Sequence, residues 1–261
     1  MEIQNKVIVV TGAASGIGKA LAVRFRAEGA KQIVSVDLDE SGARATAEDV
    51  GGIAMRADVG EEADVASVIE RTEADVGPID LFCSNAGVAL GADLEAPNGE
   101  WRTSWHVNVM SHVYAARHVV PRMIGRGGGY FLITASAAGL LNQIGLAAYG
   151  VTKHAAVGFG EWLAITHGHE GIGVSLLCPQ AVRTAMTANA SPATAAAAGD
   201  GMMEPEVLTD FVVVGLREER FLILPHPEVL EYMRRKTDDY DRWIGGMNRL
   251  MQRLTRVEQG Q

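Results

Sequence analysis

The stretch Val7-Ile8-Val9-Val10-Thr11-Gly12-Ala13-Ala14-Ser15-Gly16-Ile17-Gly18 decides the fold. Its first half is a β-branched run short enough for one strand, and its second half is a glycine-rich turn opening a segment of helical period over residues 16–28. Glycines in such a turn permit a tight reversal, let backbone N–H groups approach a pyrophosphate and allow close helix–strand packing. The helix N-terminus adds partial positive charge. A dinucleotide fits that geometry, although a plain tight connection between strand and helix would use the same glycines.

Outward from this unit the pattern repeats. Strands are expected at 6–10, 32–36, 53–56, 79–84, 130–134, 173–178 and 221–224, alternating with helices at 16–28, 40–50, 61–76, 100–124, 146–167 and 205–216. Strands that are apolar throughout and separated by helices imply a parallel sheet covered on both faces, here a doubly wound α/β sheet of seven strands. Residues 189–201 are alanine-rich and read either as a surface loop or weak helix or as a mobile lid, placed at 185–203. Beyond 225 the spaced apolar residues Val229, Leu230, Met233, Trp243, Met247, Leu250, Met251 and Leu254 suggest a helical extension over 225–261, packed on the domain or on a partner subunit. The whole chain, 1–261, reads as one domain, because no linker or charge block divides it.

Composition narrows the function. A chain of 261 residues that is 48% hydrophobic and 21% charged can bury a full core and is too apolar for disorder. Its net charge of −9, without a basic cluster, argues against a nucleic-acid surface and favours a small-molecule substrate. Cys83 and Cys178 each lie in an apolar run and read as buried thiols in a reducing compartment. Neither a signal-peptide pattern nor a membrane-length apolar run is present, so a cytoplasmic protein without membrane association is expected. Thirty glycines against eight prolines point to many tight turns or close backbone approaches to a ligand.

Two further features carry chemistry. Asp37 ends the second strand about 20 residues after Gly18, the spacing at which a carboxylate accepts from an adenosine ribose. It would repel a 2′-phosphate, and its neighbours Leu38, Asp39 and Glu40 supply no cation, which favours NAD over NADP; a turn cap is the other reading. Tyr149 and Lys153 are one helical turn apart on one face, and a nearby cation lowers a phenol's pKa towards that of a useful base. Alone, the pair would also suit a surface tyrosine beside a solvated lysine.

Taken together, these motifs resemble the short-chain dehydrogenase/reductase family in its compact branch, over nearly the whole chain. The matching elements are Thr11 to Gly18, Asp58-Val59, Asn85-Ala86-Gly87, Asn108, Ser136, Tyr149 to Lys153 and Pro179 to Thr184. The resemblance implies a Rossmann-type sheet in the order 3-2-1-4-5-6-7 with the reaction at the carboxyl ends of the strands. It implies Tyr149 as general acid/base, Ser136 holding the reacting oxygen, Lys153 on the nicotinamide ribose and lowering the Tyr149 pKa, and Asn108 holding a water in a proton relay. It also implies cofactor contacts at Gly12, Ser15, Gly16, Ile17 and Gly18, at Asp37, at Asp58 and Val59 around adenine, and at Asn85, Ala86 and Gly87. Further contacts follow at Tyr149, Lys153 and Pro179, with Val182 and Thr184 on the carboxamide.

One departure stands out: the family has Pro-Gly where this chain has Pro179-Gln180. The Gln180 side chain either narrows the pocket and bonds to substrate or turns outward and changes nothing. The two long helices over 101–124 and 146–163 have apolar faces that suit a core, and the resemblance adds a homo-oligomer, a tetramer.

No metal site is expected. His167 and His169 face different sides of a helix, and Asp238 to Asp241 lacks a calcium loop's spacing and reads as a helix start. Pocket walls are expected from Val88, Ala89, Leu90, Ala138, Leu140, Leu141, Gln143, Met186, Met202 and Met203, mostly apolar, with Arg183 facing elsewhere. The expected reaction is NAD-dependent interconversion of a hydrophobic secondary alcohol and its ketone. A 3-ketoacyl-thioester reductase and a nonenzymatic NAD-binding scaffold are the alternatives.

Overall fold

The first strand, β1 (Val7–Thr11), is buried along its whole length, as a Val-Ile-Val-Val run at the centre of a parallel sheet should be. It pairs in parallel with β2 (Gln32–Asp37) on one side and with β4 (Leu81–Ser84) on the other. Adding β3 (Ile53–Arg56), β5 (Gly129–Thr134), β6 (Ile172–Leu177) and β7 (Leu222–Ile223) gives seven parallel strands in the order 3-2-1-4-5-6-7. The order reverses direction between β1 and β4, so a crevice opens there at the carboxyl ends of the strands. The computed structural model describes residues 1–188 and 191–258; Asn189 and Ala190 of the expected lid and 259–261 of the expected extension lie outside them.

Helices cover both faces. α3 (Glu62–Asp75), α5 (Ser111–Gly125) and α7 (Ala147–His167) pack on the face that receives Val9, Phe82, Phe131 and Ile133. α1 (Gly16–Ala27) and α9 (Pro205–Arg217), with Val50 of α2 (Glu40–Val50), cover the face that receives Ile8, Val10, Tyr130 and Leu132. Alternate residues of each strand thus feed opposite cores, and each fully buried aliphatic or aromatic side chain contributes roughly 1.5–3 kcal/mol. Phe82 and Phe131 stack across neighbouring strands with ring centroids 5.6 Å apart.

Two segments differ from the sequence reading, and a third takes one of the forms it allowed. The stretch expected as one helix at 100–124 is α4 (Asn98–Trp105), a π-helical turn (His106–Met110) and then α5, with Asn108 inside the turn. A four-residue helix, α6 (Ala138–Leu141), stands between β5 and α7. The alanine-rich segment forms a short helix, α8 (Pro192–Ala197), whose first backbone donors are met by Ser191: Thr194 N donates to its Oγ at 3.0 Å.

The extension is two helices, α10 (Glu228–Asp238) and α11 (Tyr240–Glu258). Asp239 starts the second by accepting from Arg242 N at 2.9 Å, in line with reading the acidic run as a helix start. Both pack on the domain, α10 against α6 and α11 against α8. Among the described residues no helix is long and apolar enough to cross a membrane.

Candidate active site

The glycine turn sits at the reversal point of the sheet. Gly12 has φ +70°, and a Cβ there would lie 2.9 Å from Ala86 Cα, so β1 and the loop after β4 approach as closely as glycine allows. A Cβ on Gly18 would overlap the Gly12 carbonyl, which explains why α1 can start directly against the turn. Thr11, the last residue of β1, ties the two loops together. Its Oγ1 accepts from Asn85 N at 2.9 Å and from Ala86 N at 3.1 Å, while Asn85 Nδ2 donates to Thr11 O at 2.9 Å.

Asp37 serves two roles in the same place. Its carboxylate accepts from Ala14 N at 2.9 Å and from Asp39 N at 3.0 Å, so it caps the turn and also braces the glycine loop. Asp58 accepts from Gly60 N at 2.8 Å and its own N–H donates to Asp64 Oδ2 at 2.9 Å.

The reacting groups come from three elements. Ser136, after β5, stands beside the Tyr149 hydroxyl; its Oγ accepts from Ala138 N at 3.1 Å and donates to Pro179 O at 3.5 Å. Lys153, one turn along α7 from Tyr149, is 3% exposed and donates to Thr134 O at 3.0 Å, with Nζ 5.6 Å from the centre of the Tyr149 ring. Burial pulls its ammonium down from 10.5 to about 8. Burial pushes the Tyr149 hydroxyl up instead, opposed by the neighbouring Ser136 hydroxyl. The expected lowering of Tyr149 is therefore not a property of the protein's own groups; desolvation outweighs them.

Asn108 closes the site from behind. Its Oδ1 accepts from Val88 N at 2.8 Å, and its Nδ2 donates to Val88 O at 2.9 Å and to Thr152 Oγ1 at 3.1 Å. The amide is thus spent on fixing the loop after β4 to α7. A Cβ on Gly87 would lie 3.3 Å from Asn108 Oδ1 and 3.4 Å from Lys153 Nζ, so this glycine keeps both groups at the loop.

All of the residues expected at the cofactor and at the reaction, Asn108 apart, line one cavity of about 880 Å³. The cavity suits a dinucleotide: besides the glycine cradle, Asn85 Oδ1 and Thr134 Oγ1 are buried along it without a hydrogen-bond partner, and buried polar atoms are seldom left so. The short chain dehydrogenase family model matches residues 6–195. The chain belongs to the short-chain dehydrogenase/reductase family.

Relatives in this family agree over most of the length. A 1-deoxy-11-beta-hydroxypentalenate dehydrogenase from Streptomyces exfoliatus is 34% identical over 253 residues, covering 94% of this chain and 91% of that protein. A short-chain dehydrogenase/reductase from Burkholderia phymatum, solved in complex with NAD, superposes with a TM-score of 0.84 at 29% identity, covering 92% of this chain and 96% of that one. A 3-ketoacyl-(acyl-carrier-protein) reductase from Brucella melitensis, solved with NADH, gives a TM-score of 0.78 at 27% identity, covering 85% and 96%.

Within this short-chain dehydrogenase/reductase, the substrate side differs in part from the sequence reading. Val88, Ala89, Ala138, Leu141, Gln143 and Met186 line the cavity. Leu90, Leu140, Met202 and Met203 do not: Leu140 and Met203 pack against core clusters, and Met203 is held by a bridge to Val182. Arg183 faces away from the cavity and pairs with Glu204 at 2.6 Å.

Sequence reasoning left out five cavity residues from the C-terminal helices, Tyr232, Arg235, Trp243, Met247 and Leu250. The spacing of Trp243, Met247 and Leu250 signalled a buried face but not what it covers. It also missed His112, one turn after Asn108, whose Nδ1 lies 2.6 Å from Ser84 Oγ. Burial and the nearby Lys153 charge bring that imidazole down to about 3, so it is neutral at working pH.

Proposed function

We propose that the chain is an NAD-dependent dehydrogenase that interconverts a hydrophobic secondary alcohol and its ketone, with Tyr149 as general acid/base. The observation that carries this reading is the convergence of Ser136, Tyr149 and, one turn along α7, Lys153 on the cavity that the glycine turn also lines. Two hydroxyls placed in this way converge on one substrate oxygen. Ser136 donates to that oxygen, and Tyr149 takes its proton in oxidation or returns it in reduction.

Tyr149 works as a base only if its hydroxyl is brought back down against burial. Lys153 supplies one cation for that, and it would also hold the nicotinamide ribose. When bound, NAD supplies the hydride acceptor and a second positive charge. Asn108 keeps the π-turn in place, from which a water would connect Lys153 to solvent. Gly12, Ser15, Gly16, Ile17, Gly18, Asn85, Ala86, Gly87, Pro179, Val182 and Thr184 would hold the dinucleotide, with Asp58 and Val59 at adenine. Asp37 at the ribose favours NAD over NADP by charge. The apolar walls Leu141, Ile144, Leu146 and Met186 favour a hydrophobic substrate over a dianion, and Arg235, which also lines the cavity, is already paired with Glu231.

Tyr149→Phe is expected to lose roughly a hundredfold or more in NAD-linked turnover of secondary alcohols, the scale of general acid–base catalysis. The assay is NADH formation over a panel of apolar alcohols, and a Phe variant with wild-type turnover sinks the assignment. The likeness to a 3-ketoacyl reductase favours a second reading, reduction of a 3-ketoacyl thioester. Faster turnover of such a thioester than of any free ketone would select it.

A further inference from the structure

Gln180, the residue that replaces the family's glycine, is neither idle nor outward-facing. Its backbone N–H donates to His226 Nδ1 at 3.2 Å, and its side-chain Nε2 donates to Asp200 Oδ2 at 3.0 Å. The other oxygen of the same carboxylate, Asp200 Oδ1, accepts from the Tyr232 hydroxyl at 3.0 Å. The amide orientation follows from chemistry: turned over, Gln180 would set its oxygen against a carboxylate.

One carboxylate therefore joins three parts of the chain: the loop after β6 that borders the nicotinamide side, the end of the alanine-rich segment, and α10. Gln180, Asp200 and Tyr232 all line the cavity. Tyr232 in turn packs against Trp243 of α11, ring centroids 6.4 Å apart, and Lys236 Nζ donates to Leu140 O at 2.6 Å. A glycine at 180 offers no side chain for the first link.

We propose that Gln180 is a specificity-determining residue. Through Asp200 and Tyr232 it holds α10 and α11 as a fixed apolar wall of the substrate cavity, so that the enzyme selects secondary alcohols with a bulky apolar end that reaches Trp243, Met247 and Leu250. The proposal rests on the dehydrogenase reading above and names the substrate class of that same site. An apolar wall held in place rewards each methylene that reaches it, about threefold to fourfold in kcat/KM, whereas a loose wall must first be ordered by the substrate.

The test measures kcat and KM for a series of secondary alcohols of increasing apolar length with the wild type, Gln180→Gly, Tyr232→Phe, the double variant and Trp243→Ala. In the wild type kcat/KM climbs with length. The ratio of the longest to the shortest alcohol falls at least tenfold in Gln180→Gly, Tyr232→Phe and Trp243→Ala, chiefly through KM. The double variant falls no further than the worse single one, because both side chains act on one carboxylate.

Hydrogen exchange of residues 228–251 gives a second readout that needs no substrate: it speeds up at least fivefold in Gln180→Gly and Tyr232→Phe. A flat length profile in the wild type, or wild-type selectivity and exchange in both clasp variants, overturns the proposal. Absence of turnover by the wild type on every alcohol and ketone instead defeats the dehydrogenase reading, and the exchange measurement then decides the clasp alone.

Discussion

At pH 7 Lys153 is a cation with 3% of its surface exposed, and its pKa stands near 8 against 10.5 in an unfolded chain. Between those values the unfolded state binds more protons, so stability rises with pH through that window, and below pH 8 the full cost remains, on the order of 3 kcal/mol. Lys153→Met is therefore expected to abolish turnover yet stabilise the cofactor-free protein at pH 7 by about 1–2 kcal/mol once the lost bond to Thr134 O is counted, a gain that disappears by about pH 10. Urea melts at the two pH values check it. Asp37→Ser with Leu38→Arg should move preference towards NADPH, since Leu38 is 54% exposed and an arginine there is free to reach a phosphate. The same exchange removes the acceptor of Ala14 N and Asp39 N, so a loss of about 1–2 kcal/mol accompanies it, read from a thermal melt and from the ratio of NADH to NADPH turnover. Tyr149, Lys153 and Asp37 were legible in the sequence because each is set by local spacing or by its place after a strand, whereas Ser136 came only with the resemblance to the family. The upward push on Tyr149 was not, because the atoms that bury it come from distant segments.

At the scale of elements, the strand-turn-helix unit is the most constrained piece. Gly18→Ala would drive a methyl into the Gly12 carbonyl and within 2.8 Å of Asn85 Nδ2, so α1 must move away from β1. The expected cost is about 1–3 kcal/mol in denaturant melts together with weakened NADH binding, and a variant that binds NADH normally would show the turn to be looser than its backbone suggests. The strands and main helices followed from hydrophobic period, and the strand order from the resemblance to the family. The π-turn at His106–Met110 did not, because the displacement is fixed by Asn108 bonding to Val88 and Thr152, partners far from it in sequence. α6 was unreadable for a simpler reason: four residues, Ala138–Leu141, carry no period.

For the whole molecule, large apolar side chains stand uncovered on α4 and α7. Trp105 of α4 and Val151, Trp162 and Ile165 of α7 are exposed, Ile165 to 81%. Side chains of this size clustered on two neighbouring helices mark an association face, and a homo-oligomer, a tetramer, is the assembly we propose. Light scattering after size exclusion should give a multiple of 27.8 kDa for the wild type and a smaller species for Ile165→Asp with Trp162→Glu; a wild-type monomer refutes the face. Length and composition foretold the architecture, while the covering of the cavity depended on contacts between the tail and the alanine-rich segment that no local pattern encodes.

The position of α10 and α11 in the chain has a practical consequence. Both follow β7, so the part of the cavity they line is encoded in one short stretch after the seventh strand, apart from the residues of the glycine turn and of the Ser136–Tyr149–Lys153 group. Randomising that stretch alone, with Tyr232 kept, offers a combinatorial library in which substrate preference is resampled while the nucleotide cradle is inherited intact.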